Sequence, residues 1–68
     1  MNTGQSRAPE LMTTREVAAY LRLAPATVYK LAQAGKIPAV KVGGQWRFSR
    51  QSLDEWLTQE MQRNLNDR

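Results

Sequence analysis

Between Leu11 and Leu65 the spacing of apolar residues changes twice, from helical to alternating and back to helical. Val17, Ala18 and Leu21 share one face at helical spacing, with Tyr20 on its edge and Arg15, Ala19 and Arg22 pointing away. Thr13-Thr14-Arg15-Glu16 supplies the start signal, a capping box with threonine at N-cap and glutamate reaching back from N3. Leu11 or Met12 stands where a hydrophobic staple would. Arg22-Leu23-Ala24 then forms a turn, and Pro25 suits the first position of a second helix, where its missing N–H is not needed. Ala24 is a poor N-cap. Stepping 100° per residue from Val28 brings Leu31 and Ala32 alongside it. Lys30, Ala26 and Gln33 fall near the opposite pole, flanked by Tyr29 and Thr27. Gly35 ends this helix and Pro38 prevents its restart, so the second helix is expected over Pro25–Ala34.

The next apolar set, Val40, Val42, Trp46 and Phe48, alternates around Gly43-Gly44 and predicts a β-hairpin. A two-residue glycine loop would pair Val42 with Gln45 and Val40 with Arg47, splitting the apolar residues between both faces. A three-residue loop, Gly43-Gly44-Gln45, pairs Val42 with Trp46 and Val40 with Phe48, so that all four face the core. Register selection by burial favours the longer loop, which also sets Lys41 opposite Arg47 on the outer face. Such like charges repel in isolation. Phosphate between them would relieve this, although two long side chains splaying into water would serve as well.

Ser49 is placed to cap a third helix, whose core-facing stripe is Leu53, Trp56 and Leu57, extended by Met61 and Leu65. The expected organisation is an arm over 1–10, a domain over 11–58 and a helical extension or tail over 59–68. The fold class is mainly α with a small β-hairpin, in the order helix-helix-hairpin-helix. Trp46, Phe48 and Trp56 are expected in the core. Met61 and Leu65 lie past the compact part and would fray in water or meet a second chain.

The chain of 68 residues has neither cysteine nor histidine, which removes disulfides, zinc sites of the usual kind and thiol or imidazole catalysis. No cofactor or metal is expected. Asp54 and Glu55 are adjacent on a helix and diverge by 100°, so they do not make a facing acid–base pair, and no enzymatic role is expected. A soluble, cytoplasmic and nucleoid-associated location is expected, with no membrane partner, because no segment reads as a signal peptide or a span. The net charge of +4 is unevenly spread. From Thr13 to Arg50 there are seven basic residues against Glu16 alone, seven minus one, or +6, while the other acids lie outside that window. A basic middle of this kind is an electrostatic footprint for nucleic acid or a solvated basic surface.

Together, Leu11 to Leu21, Thr27 to Leu31, Gly35 to Ala39, Val42 to Phe48 and Leu53 to Leu57 make the chain resemble the excisionase-type, MerR-like winged helix-turn-helix DNA-binding domains. The resemblance covers roughly residues 11 to 57. It departs at Arg22, where the family often has a small or polar residue, and at Ala24, where a serine cap is common. It implies a recognition helix in the major groove of double-stranded DNA and a wing, Val40–Phe48 with Gly43 and Gly44 at its turn, on the backbone or minor groove. Lys30 and Gln33 would then reach base edges, and Ala26 a thymine methyl. Thr27 and Tyr29 would hold phosphate, although Thr27 also serves helix initiation and Tyr29 the edge of the core. Lys41 and Arg47 on the wing would hold phosphate too, with Arg15, Arg22 and Lys36 in support.

The implied roles are excisionase, architectural factor or small transcriptional regulator, with a recombinase or RNA polymerase as a further partner. One such domain reads only a short site, so self-association on DNA, as a dimer or a cooperative array, is expected. The alternative is a protein-interaction module that binds a recombinase or transcription partner.

Overall fold

The computed structural model describes residues 10–66; the rest of the expected arm, residues 1–9, lies outside them. In chain order the elements are strand β1 (Leu11–Thr13), helices α1 (Thr14–Leu21) and α2 (Pro25–Gln33), strands β2 (Val40–Val42) and β3 (Gln45–Ser49), and helix α3 (Arg50–Asn66). The predicted helices and hairpin are present, with one addition. Leu11–Thr13 is a strand, and it makes the hairpin the larger part of a three-stranded antiparallel sheet ordered β1-β3-β2. Met12 pairs with Phe48, so both side chains share the inner face. There they join Val17 and Ala18 of α1, Val28 and Ala32 of α2, Ile37, and Leu53 of α3 in the core. Trp46 and Trp56 pack against it, each partly buried.

The capping box at α1 is complete. The Glu16 amide donates to Thr13 Oγ1 at 3.1 Å and the Thr13 amide donates to Glu16 Oε1 at 2.9 Å. At α2 the Ala24 N-cap contributes no side-chain hydrogen bond, and Pro25 opens the helix. Ser49 caps α3, accepting from the Ser52 amide at 3.3 Å. Helix α3 continues past the core, and Met61 and Leu65 on it are 60% and 74% exposed.

The first two helices close in the same way, by an amide reaching back five residues: Leu23 to the Ala18 carbonyl at 2.8 Å and Lys36 to the Leu31 carbonyl at 2.9 Å. Each closure needs a left-handed residue. After α2 this is Gly35 at φ 70°, but after α1 it is Arg22 at φ 61°. A side chain there costs about 1–2 kcal/mol of crowding, which glycine avoids at the expense of greater freedom in the unfolded chain. Arg22→Gly is therefore expected to stabilise the fold by about 0.5–1 kcal/mol, raising the melting temperature by roughly 2–8 °C for a domain of this size. A thermal melt followed by circular dichroism measures it; a lower melting temperature would contradict this account of the turn.

The hairpin register differs from the expected one. Val42 pairs with Gln45, Lys41 with Trp46 and Val40 with Arg47, across a two-residue Gly43-Gly44 loop. The cause is the turn itself. Gly43 and Gly44 have φ 58° and 81°, and a two-residue turn with both central φ positive matches the twist of the flanking strands. Val40 and Val42 consequently lie on the outer face, 51% and 54% exposed, and Lys41 shares the inner face with Trp46 instead of facing Arg47. The expectation that Trp46 and Phe48 turn inward stands in the shorter register too, since Phe48 is fully buried.

Candidate nucleic-acid interface

Helix α2 buries Val28 and Ala32 and leaves its other side open. Ala26, Thr27, Tyr29, Lys30 and Gln33 are all exposed, as their helical positions predict. The Gln33 side-chain amide donates to the Tyr29 hydroxyl at 3.3 Å, so the two flank residues act as a linked pair along the helix.

Tyr29 also lines an open cleft of about 410 Å³. Its second wall is the amino end of α1, with Thr13, Thr14 and Arg15; its third is the wing, with Gly44, Gln45, Trp46 and Arg47. The cleft follows from the sheet topology. Strand β1 pairs with β3 only as far as Thr13 opposite Arg47, and the chain then turns into α1. Gln45 and Trp46 thus extend beyond the end of β1, and the gap opens between them and the helix. Three residues far apart in sequence, Arg15, Tyr29 and Arg47, converge on it.

On the wing, Arg47 is held from two sides. Its Nη1 donates to the Trp46 carbonyl at 2.8 Å and its Nη2 donates to Gln45 Oε1 at 2.7 Å. Across the hairpin, Lys41 Nζ stands 5.2 Å from the centre of the Trp46 ring, within cation–π range.

Other expected site residues lie elsewhere. Lys36 borders a separate groove between the end of α2 and α3, beside Leu31, Trp56, Glu60 and Arg63. Arg22 is exposed at the α1–α2 turn, and neither it nor Lys30 lines the cleft. Gly44 borders the cleft, whereas its neighbour Gly43 does not.

Arg50 belongs to the basic window, but the fold brings acids from outside that window back to it. It lies 3.9 Å from Glu10 and 3.6 Å from Asp54, and it stacks over Tyr20 at 4.8 Å. Tyr20 in turn donates its hydroxyl to Asp54 at 2.7 Å. Tyr20 first, then Asp54 and Glu10, raise the pKa of the Arg50 guanidinium above its ordinary value. Its task is to join α1 to the start of α3.

Thr13, Thr14, Gln45 and Trp46 were not foreseen as part of the site. The capping box did mark where the amino end of α1 falls. Nothing local shows that β3 passes beside it.

A family profile described as a helix-turn-helix domain matches residues 11–61. Two proteins from different strains of Mycobacterium tuberculosis are each 39% identical to this chain over 54 residues, which span 79% of this chain and 69% of each relative. Both carry the name "Putative DNA-binding protein". The chain belongs to the helix-turn-helix domain family. No helix among the described residues is long and apolar enough to cross a membrane.

Proposed function

We propose that this protein binds double-stranded DNA sequence-specifically, with α2 in the major groove and the β2–β3 wing on the backbone, and that it works by binding alone. The observation that carries this reading is the convergence of Arg15, Tyr29 and Arg47 on one cleft, beside the exposed polar side of α2. A cleft with cations on two walls and a phenol on the third suits the phosphate backbone, which supplies most of the affinity in such complexes. The open side of α2 is left to the base edges, where Lys30 and Gln33 have the donors and acceptors that base readout uses. The names of the Mycobacterium relatives agree with this reading.

Within it, the protein is a small architectural factor or transcriptional regulator of the excisionase-like, MerR-like kind, acting in several copies. The motive for several copies is the short site that one α2 reads, together with exposed apolar residues at two places: Leu11, Val40 and Val42 on the outer face of the sheet, and Met61 and Leu65 on α3. Titration on random-sequence duplex at two salt concentrations, followed by selection of the bound sequences, tests both points. A steep fall of affinity with salt and an enriched repeated motif are expected. A single unrepeated motif bound tightly by one copy would remove the multi-copy part, and no binding at low salt would remove the DNA reading.

The same exposed apolar residues favour a second reading, a module that docks on a recombinase or a transcription protein. Reversing the charges of Lys41 and Arg47 separates the two, since it strikes the DNA interface and leaves Leu11, Met61 and Leu65 untouched.

A further inference from the structure

We infer that Gln45 and Trp46 are positioning residues for the wing: they fix the directions of the Arg47 and Lys41 cations before any DNA arrives. This rests on the DNA-binding reading and adds to it two residues that carry no charge. A long basic side chain on an exposed hairpin ordinarily samples many rotamers, and binding must then freeze it, which weakens affinity. Here both cations are already held. The guanidinium of Arg47 is gripped by the Gln45 side-chain oxygen at 2.7 Å and by the Trp46 carbonyl at 2.8 Å. Of its five N–H groups these two bonds use two, and five minus two leaves three without a partner among the described residues. Arg47 also lines the cleft that it shares with Arg15 and Tyr29.

Lys41 is held by a different contact. The two-residue loop places it directly opposite Trp46, and its ammonium lies 5.2 Å from the ring centre. A ring face draws the ammonium without supplying an anion, so the charge remains available to phosphate. Gln45 likewise holds Arg47 with a neutral oxygen, where a glutamate would have cancelled its charge. The short loop is what joins these roles. In the longer register Gln45 would sit within the turn and Lys41 would face Arg47.

Double-mutant cycles on the full chain test this with duplex DNA as the probe. Gln45→Ala is expected to weaken binding by roughly 3- to 10-fold with the melting temperature unchanged. That loss is expected to disappear in an Arg47→Ala background, because Gln45 acts only through Arg47. Trp46→Phe keeps a ring and is expected to retain most of the affinity. Trp46→Leu is expected to lose it to a similar degree, again only while Lys41 is present. Because Trp46 also packs on the core, the Gln45 cycle is decisive if the leucine variant unfolds.

If the wild-type protein binds duplex and Gln45→Ala either has no effect or has the same effect with and without Arg47, the inference is overturned while the DNA reading stands. If the wild-type protein binds no duplex at low salt, both fall together.

Discussion

Replacing both Lys41 and Arg47 with glutamate is expected to weaken duplex binding by at least roughly a hundredfold while leaving the helical content intact. Each residue is read as one charge-assisted contact to phosphate, worth about 1.5–3 kcal/mol. Two lost contacts amount to about 3–6 kcal/mol, or roughly 10²- to 10⁴-fold. The dependence on salt should change as well. Each neutralised phosphate contributes about 0.9 to the slope of log affinity against log salt on duplex DNA, so the slope should fall by about 1.8. Neither side chain belongs to the core, and what Arg47 gives up within the protein is its bonds to Gln45 and the Trp46 carbonyl. Fluorescence anisotropy at two salt concentrations, with a circular dichroism spectrum of the variant, measures all three quantities. Binding close to wild type would place the interface away from the wing and give weight to the protein-partner reading.

What the sequence revealed of this fold depended on the range over which each signal acts. The α1 capping box, the proline opening α2, the glycine closing it and the serine cap of α3 are local, and each was legible. So was the division of α2 into a buried stripe and an open side, because helical period alone determines it. Strand β1 was hidden because its three residues pair with a segment some 36 positions away, Met12 with Phe48. Alternation of outward Leu11 and inward Met12 is too short to separate from a staple. The partners of Arg50 are hidden from a charge count for the same reason: Glu10 and Asp54 reach it only in three dimensions. The candidate site divides along the same line. The residues on α2 could be assigned from one helix, whereas the cleft joining Arg15, Tyr29 and Arg47 exists only through the sheet.

The hairpin register departs from the one that burial favours, and the reason lies in which strand covers the core. Burial chooses the register only where both strands of the wing lie over the core. Only the β3 strand does so, through Phe48 and Trp46, while β2 is an edge strand with both valines exposed. With little burial to be gained at Val42, the backbone preference of Gly43-Gly44 decides. Phe48 and Val42 should therefore respond very differently to truncation.

Phe48→Ala removes a fully buried ring from the central strand, opposite Met12, and is expected to cost about 3–5 kcal/mol. Native domains have only about 5–15 kcal/mol in total, and small ones sit at the low end, so a large fraction of this variant should be unfolded at room temperature. Val42→Ala removes two methyl groups from a half-exposed edge position and is expected to cost less than about 0.5 kcal/mol. Urea unfolding followed by circular dichroism gives both values on one scale. In the three-residue-loop register Val42 would lie inward beside Trp46, and its truncation would cost about 1 kcal/mol or more. A large loss at Val42 would therefore contradict the short loop, and with it the pairing of Lys41 with Trp46 on which the arrangement of the wing depends.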